Sequence, residues 1–153
     1  MIYNEENLKE VSKAIIDNLT PDLIPLKWRQ RNSTNPMFGH CHHASACLQK
    51  VFGTKELKLY RAKDWDEIWH WWAVDTSGNI IDLTADQYYS IGKEPPYKDG
   101  QKASMLGFDY RKRTLELLNR VEKQLDDNET EMIEEMAEED EARRIMENGN
   151  KPF

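Results

Sequence analysis

Three residues, Thr76-Ser77-Gly78, constrain this chain more than any other feature. They separate two strand-like runs, and the length of the loop fixes which side chains can meet. Ile68 to Asp75 and Asn79 to Thr84 read as the arms of a hairpin, bounded by turn residues. Because side chains alternate along a strand, a one-residue slip turns the whole pattern of one arm over. A two-residue loop at Ser77-Gly78 puts His70 and Asp82 on opposite faces. A three-residue loop, a type I turn closed by Gly78 in the left-handed region, pairs Trp72 with Asp82 and His70 with Thr84. His70 and Asp82 then share a face as diagonal neighbours, roughly 7 Å apart between Cα atoms, which lets the carboxylate accept a hydrogen bond from the imidazole.

Upstream of the hairpin the periodicity is helical. Leu8, Val11, Ile15 and Leu19 share one face of a helix predicted over residues 4 to 19, with Asn4 as its cap and Pro21 stopping the run. Residues 20 to 39 contain Pro21, Pro25 and Pro36 and are expected to be irregular. From Gly39 to Gly53 the spacing of Ala44, Leu48, Val51 and Phe52 predicts a second helix, and Leu57 to Ala62 a first strand. Helix first, then antiparallel strands, gives an α+β fold with a helix packed on a small antiparallel sheet.

Cys41 opens the second helix. Residues 41, 44, 48 and 52 lie within about 100° of one another on a helical wheel, so Cys41 points with the apolar face toward the sheet. In the first turn, unpaired N–H groups and the positive end of the helix dipole stabilise a thiolate. Gly39 and the Asn35-Pro36 turn leave room for close approach to the backbone, and the Cys41 N–H is positioned to donate to an oxyanion. Taken alone, an inward cysteine reads equally as packing. A strand histidine and a same-face aspartate opposite it favour an ordered set of nucleophile, base and orienting acid.

The 153 residues suit one domain with an appendage. A domain over residues 1–121 and an arm over 122–153 are expected, because the C-terminal part is the acidic one. Residues 1 to 110 hold 13 basic and 15 acidic groups, and residues 111 to 153 hold 8 and 13. A net charge of −7 argues against a phosphate-binding surface as the main business of the chain, so nucleic acid is not an expected partner. No stretch is long and apolar enough for a bilayer, and nothing at the N-terminus has the form of a signal peptide. Two cysteines that a six-residue helical offset keeps about 9 Å apart fit reduced thiols and a cytoplasmic setting.

Gly39-His40-Cys41 with Ala44 and Leu48, then His70-Trp71 on a strand, then Asp82-Leu83-Thr84, resembles the core of the transglutaminase-like branch of papain-like cysteine enzymes. The fuller set, Gly39-x-Cys41-x-x-Ala44-Ser45, His70-Trp71-Trp72, Asp82-x-Thr84-Ala85-Asp86-Gln87 and Pro95-Pro96-Tyr97, is also similar to a group of small bacteriophage proteins. The resemblance covers roughly residues 36 to 121. It implies Cys41 as nucleophile, His70 as general base and Asp82 as the residue that orients the imidazole. The implied activity is thiol-dependent acyl transfer, or amide or ester hydrolysis, on an acyl or amide substrate, a protein among the candidates, without a cofactor. If the chain is phage-encoded, it acts in the host cytoplasm. An oxyanion donor upstream of the cysteine is not obvious. Gln30, Trp28 and Asn35 are candidates, with Gln30 favoured.

Other residues carry competing readings. Trp72 lies on the face of His70 and reads as a wall of the cleft, and Gln87 and Tyr88 follow the Asp82 strand closely enough to bind substrate. His43 and Cys47 have ligand-like spacing for a metal, but the helical wheel turns His42 and His43 by about 100° and 200° from Cys41. The His40-Cys41-His42-His43 cluster therefore cannot converge on one ion, no metal is expected, and His42 and His43 read as surface residues or as supports behind the site residues, flanking the cleft. Arg111, Lys112 and Arg113 read either as a helix start or as a binding group for an anionic substrate. In the arm, Leu118, Val121, Leu125, Met132, Ile133 and Met136 recur at helical steps, while Asp126, Asp127 and Asn128 predict a break and a bent or mobile arm. The arm reads as a solvated face, an oligomerisation element, or a nucleic-acid mimic that occupies a basic partner. The alternative function is a non-catalytic effector that binds a host protein through the arm and the aromatic surface.

Overall fold

The structure is a computed structural model that describes residues 1–103 and 112–149. It is α+β, with α1 (Glu5–Asp17), α2 (Leu26–Thr34) and α3 (Cys41–Phe52) preceding β1 (Leu57–Lys63), β2 (Trp69–Asp75) and β3 (Ile80–Ile81). A short α4 (Asp86–Tyr89), β4 (Gln101–Lys102) and α5 (Lys112–Gly149) follow. The strands form one antiparallel sheet in the order β3-β2-β1-β4. The chain divides between Val121 and Glu122 into two compact units.

Asn4 caps α1 through its side chain, which accepts from the Asn7 N–H at 2.7 Å, and Val11, Ala14 and Ile15 are buried on the inner face. Residues 20 to 39 are not irregular as their prolines suggested. Pro21 starts a 3-10 turn and Pro25 sits at the N-cap of α2, positions where a missing N–H costs nothing, and Pro36 follows the helix end. The three prolines punctuate helices instead of preventing them.

The centre of the first unit is α3. Its apolar face of Ala44, Leu48 and Phe52 is buried as the spacing predicts, but so are His43, Ser45, Ala46, Cys47 and Gln49. Two of the polar ones reach strand carbonyls: Ser45 Oγ donates to Trp71 O at 3.3 Å and Gln49 Nε2 to Leu57 O at 3.0 Å. These bonds fix the helix against β2 and β1 in one register. Burial of Leu48, Leu57, Leu59 and Ile15 contributes about 2 kcal/mol each.

The hairpin has the three-residue loop. Ala73 pairs with Ile81 and Val74 with Ile80, Gly78 has φ 84°, and the Asp75 carboxylate accepts from the Ser77 and Asn79 amides at 2.9 Å. Its second arm is far shorter than the expected strand to Thr84, because from Asp82 the backbone bends into the turn that starts α4.

In the second unit, residues 122–149 continue α5 without the break expected at Asp126-Asp127-Asn128. Those three residues cost only a few tenths of a kcal/mol each in a helix interior, too little to interrupt a run of Glu, Met, Ala and Leu. Met132, Ile133, Met136, Ile145 and Met146 are all exposed. Among the described residues no helix is long and apolar enough to cross a membrane.

Candidate active site

The site begins with how the chain enters α3. Asn32 donates from one side-chain nitrogen to Pro36 O and Phe38 O, both at 2.9 Å, which holds the connecting loop against α2. Gly39 then takes φ 88°, and a Cβ there would stand 3.1 Å from Ile24 Cγ2, so the position calls for glycine on two counts. His40 occupies the N-cap but gives the helix no side-chain cap. The first-turn amides, that of Cys41 among them, are left for another acceptor. Cys41 is only 9% exposed, with its Sγ 3.8 Å from Trp69 O.

His70 and Asp82 meet as the three-residue loop requires. His70 Nε2 lies 2.6 Å from Asp82 Oδ2, with both side chains almost fully buried. The carboxylate is held from every side. Tyr97 donates its hydroxyl to Oδ2 at 2.7 Å, and the Thr84 N–H and Oγ1 donate to Oδ1 at 3.2 and 3.4 Å. Burial alone would push the His70 pKa down. The Asp82 hydrogen bond, a hydrogen bond with Cys41 and the charges of both outweigh it and raise the imidazole to about 9. With Nε2 committed to Asp82, the nitrogen left is Nδ1, which the Gln87 side-chain amide meets at 2.6 Å. An N–H of that amide suits a neutral ring; its oxygen suits a protonated one. Trp72 stacks on the imidazole at 5.8 Å between centroids and Tyr88 meets it edge-on at 4.7 Å, so the ring cannot swing.

A second imidazole pair flanks the same cysteine. His40 Nδ1 and His43 Nε2 are 2.6 Å apart in the interior, and His40 Nε2 is buried with no partner among the described residues. A bare nitrogen lone pair is the cheaper group to bury unpaired, so His40 Nδ1–H donates and His43 Nε2 accepts. Burial holds both rings neutral: His40 is lowered to about 4, and His43, with help from His40, His42 and Arg113, to about 3.

A cleft of about 250 Å³ opens beside Cys41. Trp28, Phe38, Trp69 and Trp71 supply its aromatic walls, and Cys41, His42, His43, Gln87 and Arg113 its polar groups. The structure thus brings Cys41, His70, Asp82 and Gln87 together and redistributes other expected site residues. Gln30 is exposed on α2, does not line the cleft, and is corrected as an oxyanion candidate. Trp72 backs the imidazole instead of walling the cleft; Trp69 and Trp71, on the opposite sheet face, do that. Tyr88 braces His70 and donates to Asp64 Oδ2 at 2.8 Å. His42 and His43 both flank the cleft, His42 with its ring edge-on to Trp71 and His43 buried. Arg111 lies outside the described residues. Among the described residues no three His, Cys, Asp or Glu side chains converge as a metal site.

Sequence reasoning did not find the Tyr97–Asp82 bond or the His40–His43 pair. The Pro95-Pro96 turn was visible, but not that it aims the next side chain at a carboxylate fifteen residues back. For His40 and His43 the three-residue offset was the available signal, since it places them on one helical face.

The YunG protein family matches residues 7–126 of this chain, which therefore belongs to that family. No curated protein and no solved structure matches.

Proposed function

From a YunG-family chain with this cleft, we propose a thiol-dependent acyl transferase or an amide or ester hydrolase, built on a papain-like, transglutaminase-like plan. The observation that carries the reading is a buried Asp82–His70 pair at 2.6 Å with a buried cysteine at a helix start whose interaction helps raise the imidazole. That order of carboxylate, imidazole and thiol is what nucleophilic catalysis by cysteine requires.

In this mechanism the Gln87 amide yields His70 Nδ1 to the thiol, Nδ1 takes the Cys41 proton, and Sγ attacks the carbonyl carbon of the substrate. The Cys41 N–H donates to the resulting oxyanion. As the tetrahedral intermediate collapses, the C–N or C–O bond breaks and the Nδ1 proton passes to the leaving group. Water or an amine then attacks the thioester, with His70 again as base, and Cys41 is released. Asp82 fixes the tautomer and stabilises the imidazolium, while Thr84 and Tyr97 keep its carboxylate in place.

Incubating the chain with a small thiol-directed acylating probe should place one adduct on Cys41 by peptide mass, and Cys41→Ala should lose it without loss of fold. Equal labelling of the variant rejects the nucleophile. A second reading rests on the exposed Met132, Ile133 and Met136 of an acidic helix: residues 122–153 hold a protein partner. It predicts that deleting them abolishes partner binding, whereas Cys41→Ala leaves it intact.

A further inference from the structure

The cleft beside Cys41 is unlike the rest of the chain in charge. The sequence contains 28 carboxylate side chains, yet among the described residues none lines this cleft. Among the described residues its permanently charged group is the Arg113 guanidinium, on an exposed residue in the first turn of α5. Among the described residues no carboxylate pairs with Arg113, whereas nearby cations are already matched. Arg31 holds Asp66 at 3.1 Å and Lys63 holds Glu67 at 3.5 Å. Positive charge also lies over the rings of the wall: Lys27 over Trp28, Arg31 over Phe38, and Arg61 over Trp69 at 4.3 Å.

The walls set the rest of the chemistry. Four aromatic rings with Pro25 and Ile68 favour a flat or branched apolar group. His42, His43 and Gln87 offer no negative charge to an ammonium group, and His43 is kept neutral by burial and, in part, by Arg113 itself. An unpaired guanidinium at the edge of an aromatic slot recognises a carboxylate through paired N–H donors.

We infer that the cleft selects an acyl donor with an aromatic or branched apolar body and a distal carboxylate, the rings holding the body and Arg113 the charge. This rests on the reading of Cys41 as nucleophile for the covalent step, but the selection itself is a binding property and is measured apart from it.

The full-length Cys41→Ser protein, which cannot form the thioester, is titrated with methyl 4-(carboxymethyl)phenylacetate and with the analogue in which the carboxylate is a carboxamide. Tryptophan fluorescence reports binding, since Trp28, Trp69 and Trp71 line the cleft. The carboxylate probe is expected to bind at least tenfold more tightly. Adding Arg113→Gln should close that gap while leaving carboxamide binding unchanged, and Arg113→Lys should restore part of it. Equal affinities for the two probes, or a preference that survives Arg113→Gln, overturn the inference. Alkylation of wild-type Cys41 by iodoacetamide, read by intact mass, reports separately on the nucleophile: a failure there with the carboxylate preference intact rejects the enzyme reading alone.

Discussion

Two buried imidazole environments flank Cys41, and they are opposites. His70 is held at about 9, and His40 and His43 at about 4 and 3. Burial is not the difference, because all three rings are nearly or fully inaccessible. The partner is. His70 faces a carboxylate that Thr84 and Tyr97 hold in place, whereas His40 and His43 face each other and two cations cannot share that space. One side of the cysteine thus stores a proton, and the other stays neutral and leaves the charge of the cleft to Arg113.

The strongest way to break this contrast is to remove the carboxylate. Asp82→Asn removes the hydrogen bond and the charge that offset the burial penalty on His70, so its pKa falls. Alkylation of Cys41 by iodoacetamide at pH 7 should slow by about 100-fold or more, and the rate should no longer follow a group titrating near 9. A rate and pH profile equal to wild type would show that Asp82 does not govern the imidazole.

Stability against pH sharpens the same contrast without touching the cysteine. His70 is raised on folding, so its contribution is complete below about 6.5 and is lost as pH climbs toward 9. It amounts to about 3 kcal/mol across that window. His40 and His43 are lowered on folding, so their neutral forms favour the native state above about 6.5, and stability falls as pH drops toward 4 and then 3. Urea midpoints should therefore peak near pH 6.5. The double variant His40→Gln, His43→Gln should flatten the acid limb above the carboxylate range and leave the alkaline limb in place.

How much of this was legible depended on whether an interaction was local. The register that unites His70 with Asp82 follows from three loop residues, because turn length and strand alternation are short-range constraints. The helix start at Cys41 follows from Gly39 and the apolar spacing. Gln30 failed as an oxyanion candidate because its position depends on α2, a helix concealed by prolines that sit only at its borders. Trp72 was placed on the correct face, but what it touches depends on Gly100, the residue just before β4. The arm was expected to bend at Asp126-Asp127-Asn128, where weak local preferences lose to a long run of helix formers.

Gly100 offers a smaller perturbation aimed at one side only. A Cβ there would lie 2.7 Å from Trp72 Cζ2, and Trp72 is stacked on His70. Gly100→Ala should cost about 1–3 kcal/mol of stability as the indole shifts. It should also slow Cys41 alkylation several-fold by loosening the imidazole, while the acid limb set by His40 and His43 stays where it was. Loss of stability with an unchanged alkylation rate would mean that Trp72 packs behind His70 without positioning it.

The smallest effect is expected from His43→Gln. Glutamine keeps a side-chain acceptor within reach of the His40 Nδ1–H and adds no charge, so the interior pair becomes an imidazole–amide pair of similar polarity. Since His43 is neutral at pH 7 in the wild type, the charge near Cys41 does not change, and alkylation should stay within about threefold of wild type. The acid limb of the stability profile should shrink, because one of the two lowered imidazoles is gone. A large fall in alkylation rate from this substitution would place His43, and not only His70, in the proton path of the cysteine, and the division of labour between the two sides would have to be redrawn.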